Sequence, residues 1–402
     1  MMKNTIFRMA AILLAVLLLP SVLSLASFAD GAVPTEENTG AATEFGVADG
    51  SLELDCKSAI LMEATTGAVL YMQNPDEALP PASVTKIMTL LLVMEEIDSG
   101  RIRLDETVSV SANAASMGGS QVYLKEGEVM TVEDLLKSVV IASANDAAVA
   151  LAERVAGSVS VFVERMNAKA KLLGMTSTTF ENVTGLDDTA KNHLTSARDI
   201  ALMSQELLKH PTVLQYSSIW MDTIRDGAFG LTNTNRLVRF YKGCTGLKTG
   251  STSKAGFCVS VTAERDGFSL ICVIMGAESG DTRNAAASTL LDWGFANYGL
   301  YTAKKGSLAP IPVTGGSEDA CFAEYGAFAK VLPRDQASSV TAKVTIPESV
   351  AAPVKRGDVL GKIEYTLNGR VIGSVAICAS RDVTRINFFE IFGRILAKFL
   401  LI

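Results

Sequence analysis

The chain has 402 residues, 48% hydrophobic and 20% charged, a globular composition with room for two or more domains. Its 36 Lys and Arg residues against 43 Asp and Glu residues leave a net charge of −7, without any basic block, so nucleic acid is not expected as a partner. The only histidines are His193 and His210, which argues against a multi-histidine metal site. We expect no metal and no other cofactor.

The amino terminus has the pattern of a secretory signal. Lys3 and Arg8 precede an apolar run over residues 9–19, and residues 27–29 have the composition that a signal peptidase reads. We expect a signal peptide over residues 1–29, a flexible polar leader over 30–45, and a mature protein outside the cytoplasm. A retained transmembrane helix is the alternative, but the run is shorter than the roughly 20 residues that a span needs.

Apolar patterning over residues 46–300 predicts strands, then a long helical insertion, then strands again. The expected elements are a hairpin over 57–73, helices over 83–97, 131–141, 145–156, 160–173 and 195–208, strands over 244–249, 257–265 and 268–276, and a helix over 281–298. The 83–97 helix is apolar on every side, which predicts burial. The last strand is almost wholly apolar, which predicts a central position. This order indicates an α+β domain with one antiparallel sheet flanked by helices.

The six cysteines have no CxxC spacing, so neither a zinc ribbon nor a redox pair is indicated. Asp266-Gly267 is typical of a two-residue hairpin turn, and pairing about this turn places Cys272 opposite Val261. Cys258 then lies on the other face of the sheet. We therefore expect these two thiols to stay reduced, and most of the six to be buried free thiols.

Composition changes after Leu300. Five of the eleven prolines fall between residues 310 and 353, helical periodicity ends, and Asn368-Gly369 joins two alternating runs as a type I′ hairpin. We expect a small all-β domain over residues 301–382.

Residues 383–402 have the pattern of an amphipathic helix. Asn387, Glu390, Arg394 and Lys398 recur on one face, and the other positions carry seven large apolar side chains: Phe388, Phe389, Ile391, Phe392, Ile395, Leu396 and Phe399. Such a helix can lie in a membrane interface with its cations toward lipid phosphates, which predicts a peripheral membrane anchor. The alternative is a terminal helix packed on the β-domain.

A serine that needs no histidine is the candidate nucleophile, because the sequence has no GxSxG elbow. Ser83 and Lys86 are three residues apart, which places hydroxyl and amine on one helix face. Ser83 is expected to start the helix, where the dipole favours negative charge, and Lys86 to lie one turn inside it. Burial disfavours the ammonium of Lys86, and a neutral amine can accept the serine proton.

Two further motifs belong with this pair: Ser143-Ala144-Asn145 in an interhelical loop and Lys248-Thr249-Gly250 on a strand. Each spacing alone is weak, because Ser251-Thr252-Ser253-Lys254 and Ser111-Ala112-Asn113 repeat two of them by chance. The alternative interpretation is that Ser83 and Ser143 are helix caps and Lys248 a solvated strand lysine. All three motifs in this order and on these elements favour a catalytic interpretation.

SxxK, SxN and KTG in this order resemble the penicillin-recognising serine enzymes. The surrounding residues 81–89, Gly118-Gly119-Ser120, Thr184-Gly185-Leu186 and 246–250 are similar to the low-molecular-mass D-alanyl-D-alanine carboxypeptidases of the peptidase S11 family. The similarity covers about residues 50–300, and the β-domain and tail match the layout of that family. The resemblance implies a β-lactamase/transpeptidase-like α+β fold.

The resemblance also implies roles for individual residues. Ser83 would be the acylated nucleophile, Lys86 its general base, and Ser143 a proton relay to the leaving D-alanine. Three residues would bind substrate. Asn145 would hold the substrate backbone and the Lys86 side chain, and Lys248 and Thr249 would receive the terminal carboxylate. The backbone N–H groups of Ser83 and Ser251 would form the oxyanion hole. His193 is expected to be structural.

The expected partners are peptidoglycan stem peptides that end in D-Ala-D-Ala, with β-lactams as covalent inhibitors. One alternative is a class A β-lactamase, but Glu181-Asn182-Val183-Thr184-Gly185 lacks the Leu-Asn of that class, and Ala144 replaces its Asp. The other alternative is a non-catalytic module that binds peptidoglycan or senses β-lactams. Hydrolysis of a D-Ala-D-Ala peptide compared with hydrolysis of a penicillin separates all three.

Overall fold

The structure is a computed structural model that describes residues 52–188 and 190–400. The expected signal peptide and leader lie outside the described residues.

An antiparallel sheet organises the larger part of the described chain. Its five strands follow the order β2-β1-β9-β8-β7, and they are β1 (Ser58–Glu63), β2 (Val69–Gln73), β7 (Cys244–Thr252), β8 (Gly256–Arg265) and β9 (Phe268–Ala277). The predicted hairpin over residues 57–73 is confirmed, and so is the central position of the last strand. The strand β7, which carries Lys248, lies at an edge of the sheet.

The predicted helical insertion lies between β2 and β7. Its helices are α1 (Lys86–Asp98), α2 (Ala112–Ala115), α3 (Val132–Val140), α4 (Asn145–Ala156), α5 (Val159–Leu172), α6 (Ala197–Leu208), α7 (Thr212–Ser217) and α8 (Leu237–Phe240). Two short antiparallel pairs accompany them, β3 (Thr107–Ser109) with β4 (Val129–Thr131) and β5 (Met221–Ile224) with β6 (Phe229–Thr232). The four long helices predicted after residue 130 are thereby confirmed.

The start of the buried helix differs from the prediction. Ala82–Thr85 form a 3₁₀ turn, and the α-helix begins only at Lys86. Ser83 therefore lies in the turn before α1, and Lys86 is the first residue of this helix rather than one turn inside it. The prediction of burial is confirmed, because every residue from Lys86 to Met94 is buried.

Apolar side chains cover both faces of the sheet. One face packs against α1 and the rest of the helical insertion, and the other packs against α9 (Gly280–Asn297). Val261 pairs with Cys272, as predicted, and Cys258 and Cys272 belong to the cores on opposite faces. All six cysteines are free thiols.

Residues after α9 form small β-sheets. The strands are β10 (Tyr298–Ala303), β11 (Gly306–Ser307), β12 (Ile311–Thr314), β13 (Ala320–Cys321), β14 (Ala323–Tyr325), β15 (Phe328–Pro333), β16 (Thr341–Thr345), β17 (Val350–Ala351), β18 (Val359–Leu367) and β19 (Arg370–Ala379). The β18–β19 hairpin turns at Asn368 (φ 50°) and Gly369 (φ 78°), which confirms the type I′ turn because that turn needs two positive φ angles.

The last described helix, α10 (Phe388–Leu400), follows a segment bound to the β-domain. Val383 is buried and exchanges backbone hydrogen bonds with Val354 at 2.8 and 2.9 Å, and the Ile386 amide donates to Gly315 O at 3.0 Å. The side chain of Arg394 was expected to face lipid but instead donates to Asp319 Oδ1 at 2.7 Å and to the Ser317 carbonyl.

The polar face of α10 is thus turned toward the β-domain, and the apolar face is turned away from it. All seven large apolar side chains are exposed, from 42% for Ile391 to 84% for Phe399. The structure does not bury this face in the β-domain core. Among the described helices, none is both long and apolar enough to cross a membrane.

Candidate active site

The SxxK pair is in hydrogen-bonding contact. Lys86 Nζ lies 2.9 Å from Ser83 Oγ and donates to the Thr184 carbonyl, also at 2.9 Å. Lys86 is fully buried, whereas Ser83 is partly exposed at the edge of the sheet. A serine hydroxyl that solvent can reach therefore lies directly against a buried amine.

Burial holds the pKa of Lys86 well below its ordinary value, because the ammonium loses its hydration. The positive charge of Lys248 lowers this pKa further, and the carboxylate of Asp146 opposes both effects. The neutral amine has a free lone pair, so in this form Nζ accepts a hydrogen bond from the Ser83 hydroxyl. A neutral amine in this position can act as a base without histidine.

The backbone next to the nucleophile is strained and tightly packed. Ala82 has φ 49°, an uncommon conformation for a residue with a side chain. A Cβ added to Gly185 would lie 1.8 Å from the Ala82 carbonyl oxygen, so only glycine fits there. The Thr184-Gly185 segment therefore positions both the Ser83 turn and the Lys86 amine.

His193 holds this segment in place. Its Nδ1 accepts from the Glu181 amide at 3.0 Å, so Nε2 carries the proton and donates to Thr85 Oγ1 at 2.8 Å. Burial lowers the pKa of His193 to about 4, which keeps the ring neutral. Both ring nitrogens are occupied by protein groups, which fits the expected structural role.

Ser143 does not cap α4, and its conformation is strained. The residue that caps α4 is Ala144, with no side-chain hydrogen bond. Ser143 itself has φ 62°, and its buried hydroxyl has no hydrogen-bond partner within the described residues. Strain and an unpaired buried hydroxyl are both costly, and they are typical of a group that waits for a ligand.

Asn145 connects the start of α4 to the 118–120 loop, which forms another wall of the cleft. Its Nδ2 donates to Gly118 O and its backbone amide to Ser120 O, both at 2.7 Å. Asn145 does not form the expected hydrogen bond to Lys86. Its Oδ1 is buried and has no hydrogen-bond partner among the described residues. Asn145 thus holds the 118–120 loop and keeps an acceptor free.

The KTG strand closes the third side of the site. Lys248 is only 1% exposed, so it is not the solvated lysine of the alternative interpretation, and its Nζ donates to Thr249 O at 3.1 Å. Thr249 Oγ1 donates to Thr234 Oγ1 at 2.8 Å. A Cβ on Gly250 would lie 2.8 Å from the Ser83 amide nitrogen, so glycine lets β7 approach the nucleophile turn.

The structure adds a cation that the sequence did not predict. Burial lowers the pKa of Lys248 to about 7, and the positive charge of Arg283 on α9 contributes to the shift. Arg283 is 6% exposed, donates to Asn284 Oδ1 and to Cys258 O, and forms no salt bridge within the described residues. Burial lowers the pKa of Arg283, and the Asp281 carboxylate only partly offsets this effect. Two buried cations without a salt bridge favour the binding of an anion.

These groups suit acyl transfer through a serine. The Ser83 hydroxyl lies against the buried Lys86 amine, and Lys248 and Arg283 carry positive charge nearby. Residues 44–279 match the peptidase S11 family, described as D-alanyl-D-alanine carboxypeptidase. The chain belongs to this family. Residues 303–385 match the C-terminal domain of penicillin-binding protein 5.

Curated and solved S11 relatives cover most of the chain. It is 38% identical to D-alanyl-D-alanine carboxypeptidase DacF of Bacillus subtilis over 367 residues, which is 89% of this chain and 94% of the relative. Penicillin-binding protein 5 from Haemophilus influenzae covers 83% of the chain and 99% of its own, with 30% identity and a TM-score of 0.71. Penicillin-binding protein D2 from Listeria monocytogenes, in its ampicillin-bound form, covers 61% of this chain and 99% of its own, with 35% identity and a TM-score of 0.56.

The family and fold predictions are confirmed by these relatives. The chain is a D-alanyl-D-alanine carboxypeptidase with the antiparallel α+β fold, a following all-β domain and a carboxyl-terminal helix. Neither a β-lactamase nor a non-catalytic module is favoured.

Proposed function

We propose that Ser83 is the nucleophile of this carboxypeptidase and that it forms an acyl-enzyme with stem peptides ending in D-Ala-D-Ala. The observation that carries the assignment is the 2.9 Å contact between Ser83 Oγ and a buried Lys86 amine whose pKa is lowered. Ser83 Oγ transfers its proton to Lys86 Nζ and bonds to the penultimate D-alanine carbonyl carbon. The negative charge then moves to the carbonyl oxygen.

The oxyanion is stabilised by the backbone amides of Ser83 and Ser251. The close packing of Gly250 on the Ser83 amide supports this placement, because Gly250 directly precedes Ser251. The carbon–nitrogen bond then breaks, and Ser143 passes a proton from Lys86 to the departing D-alanine amine. Water next attacks the acyl-enzyme and loses a proton to Lys86. The bond between the acyl carbon and Ser83 Oγ breaks, Lys86 returns the proton to Ser83 Oγ, and the shortened peptide leaves.

The terminal carboxylate of the substrate is bound at the cationic end of the cleft. Lys248 and Thr249 contact it, and Arg283 adds positive charge from α9. The unpaired Asn145 Oδ1 accepts a backbone N–H of the substrate. A substrate carboxylate here would form the salt bridge that neither Lys248 nor Arg283 forms within the described residues.

Covalent labelling with penicillin tests the nucleophile. The wild-type chain is expected to be labelled, and Ser83→Ala is expected to abolish labelling while leaving the fold intact. Ser251→Ala is the control, because Ser251 begins the chance SxxK copy and contributes only its backbone amide. Label retained in Ser83→Ala would overturn the assignment.

Glu181 would be the candidate deacylating residue of a class A β-lactamase, and its carboxylate already accepts two backbone amides. Glu181 accepts the amides of Lys191 at 2.8 Å and Asn192 at 2.9 Å. This bonding supports a carboxypeptidase whose penicillin adduct is slow to hydrolyse. Rapid turnover of a penicillin without cleavage of a D-Ala-D-Ala peptide would instead indicate a β-lactamase.

The proposal includes the place of the enzyme in the cell. Residues 1–29 act as an export signal and 30–45 as a leader, residues 46–300 form the catalytic domain, and residues 301–382 form a β-domain that spaces this domain from the membrane. Within residues 383–402, the helix α10 holds the protein on the outer face of the membrane, and residues 383–387 link this helix to the β-domain. The exposed apolar face of α10 supports the anchor, and its polar face contacts the β-domain through Arg394.

A further inference from the structure

We propose that Tyr123 is a substrate-binding residue that contacts the stem peptide upstream of its D-Ala-D-Ala end. The proposal rests on the function proposed above, because that function fixes the reacting carbonyl at Ser83. The sequence offered no motif at Tyr123, and the chemical steps described above do not use it.

Tyr123 is exposed in a backbone conformation that tyrosine disfavours. Its φ is 57°, and its side chain is 69% exposed although the flanking Val122 and Leu124 are 0% and 4% exposed. Glycine or asparagine fills such a position with less strain. An exposed aromatic ring adds nothing to the folded core, and strain of this kind collects at functional sites.

The conformation is imposed by groups of the catalytic domain. The buried carboxylate of Asp146 accepts the amides of Val122 at 3.1 Å and Leu124 at 3.0 Å, the two neighbours of Tyr123. Arg225 on the β5–β6 turn donates to Val122 O at 3.0 Å and to Glu128 at 2.6 Å. The backbone is thus held from both sides, and the Tyr123 ring is directed outward.

The outward ring forms one side of a concave surface. It meets the Phe229 ring edge-on at 6.4 Å between centroids. The cavity beside them has about 380 Å³ and is lined by Val122, Tyr123, Lys125, Glu128, Arg225 and Phe229. Aromatic walls with charged groups of both signs at the rim suit a peptide with both apolar and ionised groups.

The position of this surface indicates that the upstream part of the substrate binds there. The 118–124 loop is joined to the cleft because Ser120 O accepts the amide of Asn145 at 2.7 Å. The substrate carboxylate is placed on the opposite wall, at Lys248 and Thr249. The substrate ends at that carboxylate. Only the part of the peptide upstream of the reacting carbonyl can therefore extend past Asn145 to the concave surface beside Tyr123.

Two peptides of different length test the proposal on the mature chain. We expect Tyr123→Ala to lower kcat/KM for a stem pentapeptide about tenfold, the factor that ~1.4 kcal/mol of lost contact produces, mainly through KM. Acetyl-D-Ala-D-Ala lacks the upstream residues, so its kcat/KM should not change. Tyr123→Phe should keep the wild-type value on both peptides. Leu172→Ala, which removes another side chain that is 81% exposed, is the control.

A further variant separates contact from strain. Tyr123→Gly relieves the positive φ, so it should unfold at the same or a higher temperature than wild type and still lose the same factor on the pentapeptide. Equal losses on both peptides, or no loss on the pentapeptide, would overturn this proposal alone. A wild-type chain that cleaves neither peptide would overturn the proposed function and this proposal with it.

Discussion

Buried cations dominate the site at the scale of single residues. Lys86 and Lys248 are each at most 1% exposed, and Arg283 is 6% exposed. Burying a charge is unfavourable, and besides burial itself Lys248 lowers the pKa of Lys86 and Arg283 lowers that of Lys248. This arrangement destabilises the free protein, and it suits the roles proposed above, in which Lys86 acts as a base and Lys248 binds a carboxylate.

The requirement for a neutral amine at position 86 is testable. Lys86→Arg keeps a cation but removes a usable base, because the arginine pKa is far above neutral. We expect the rate of penicillin acylation to fall about 100- to 10,000-fold. In the wild type this rate should rise with pH and then level off above the lowered pKa of Lys86.

Stopped-flow acylation with a chromogenic β-lactam measures both effects. Lys171→Arg, an exposed lysine on α5, is the control and should behave as wild type. Acylation of Lys86→Arg at the wild-type rate would mean that another group takes the Ser83 proton.

Carboxylate recognition by Lys248 has its own pH dependence. Because the pKa of Lys248 lies near 7, its positive charge is present below this pH and is lost above it. We therefore expect kcat/KM for a D-Ala-D-Ala peptide to decline, through KM, as pH rises above 7. The peptide with a C-terminal amide lacks the anion and should not share this decline.

Lys248→Gln should remove the difference between the two peptides. We expect it to weaken the carboxylate substrate much more than the amide. If both substrates lose equally, Lys248 acts by tuning Lys86 or Ser143 and not by binding the carboxylate.

Sequence reasoning found the residues that a short motif carries and missed those that tertiary contacts create. Ser83 and Lys86 meet because a helical turn brings residues three apart together. Arg283 and Tyr123 are separated from the motifs along the chain. Arg283 acts on Lys248 from α9, and Tyr123 is proposed to reach the substrate from the 118–124 loop. The positive φ of Ser143 and Ala82 could not be predicted either, because neighbouring loops impose it.

At the scale of elements, the close packing of β7 on the Ala82–Thr85 turn determines the position of Ser83. A Cβ on Gly250 would lie 2.8 Å from Pro81 O and from Ser83 N, and 2.9 Å from Val84 N. These are backbone atoms, which cannot rotate away. The same contact helps to explain why Ala82–Thr85 form a 3₁₀ turn and not the first turn of α1.

Gly250→Ala is expected to separate β7 from the Ser83 turn and to disturb the oxyanion hole. Loss of one such donor lowers acyl-transfer rates about 100- to 1000-fold, and we expect a fall of that size in penicillin acylation. Gly230→Ala is the matched control, since Gly230 also lies on a strand and has no atom within 4 Å of an added Cβ.

Circular dichroism and acylation rates distinguish the outcomes. A folded Gly250→Ala protein with reduced acylation supports the contact as a determinant of the site. Wild-type acylation in this variant would show that the turn and the strand can separate without cost.

The longer elements were predictable because their apolar periodicity records which face is buried. The four long helices between residues 131 and 208 follow this rule, and β9 is central because both of its faces pack against cores. The start of α1 did not follow it, because backbone packing against Gly185 and Gly250 decides the turn. The contact of Arg394 with Asp319 was also unpredictable, since an amphipathic pattern does not tell which partner its polar face meets.

At the scale of the whole molecule, α10 and the β-domain act as one unit whose apolar surface is turned outward. The seven large apolar side chains of α10 are exposed, while Arg394 joins the helix to the β-domain. The link between them is part of the β-domain, because Val383 and Ile386 are hydrogen-bonded within it. A cut that tests the anchor should therefore fall after Asn387 and not within residues 381–386.

Truncation after Asn387 is expected to release an active enzyme from membranes. The shortened protein loses the apolar face of α10 but keeps every residue bound within the β-domain, so it should fold and be labelled by penicillin like the full chain. Flotation with vesicles of phosphatidylcholine and phosphatidylglycerol measures the binding, with signal-free protein in both arms. Truncation after Ser380 is the contrasting variant, and it should be less stable because it removes the buried Val383. If the protein cut after Asn387 floats with the vesicles as the full chain does, the membrane contact lies elsewhere in the mature chain.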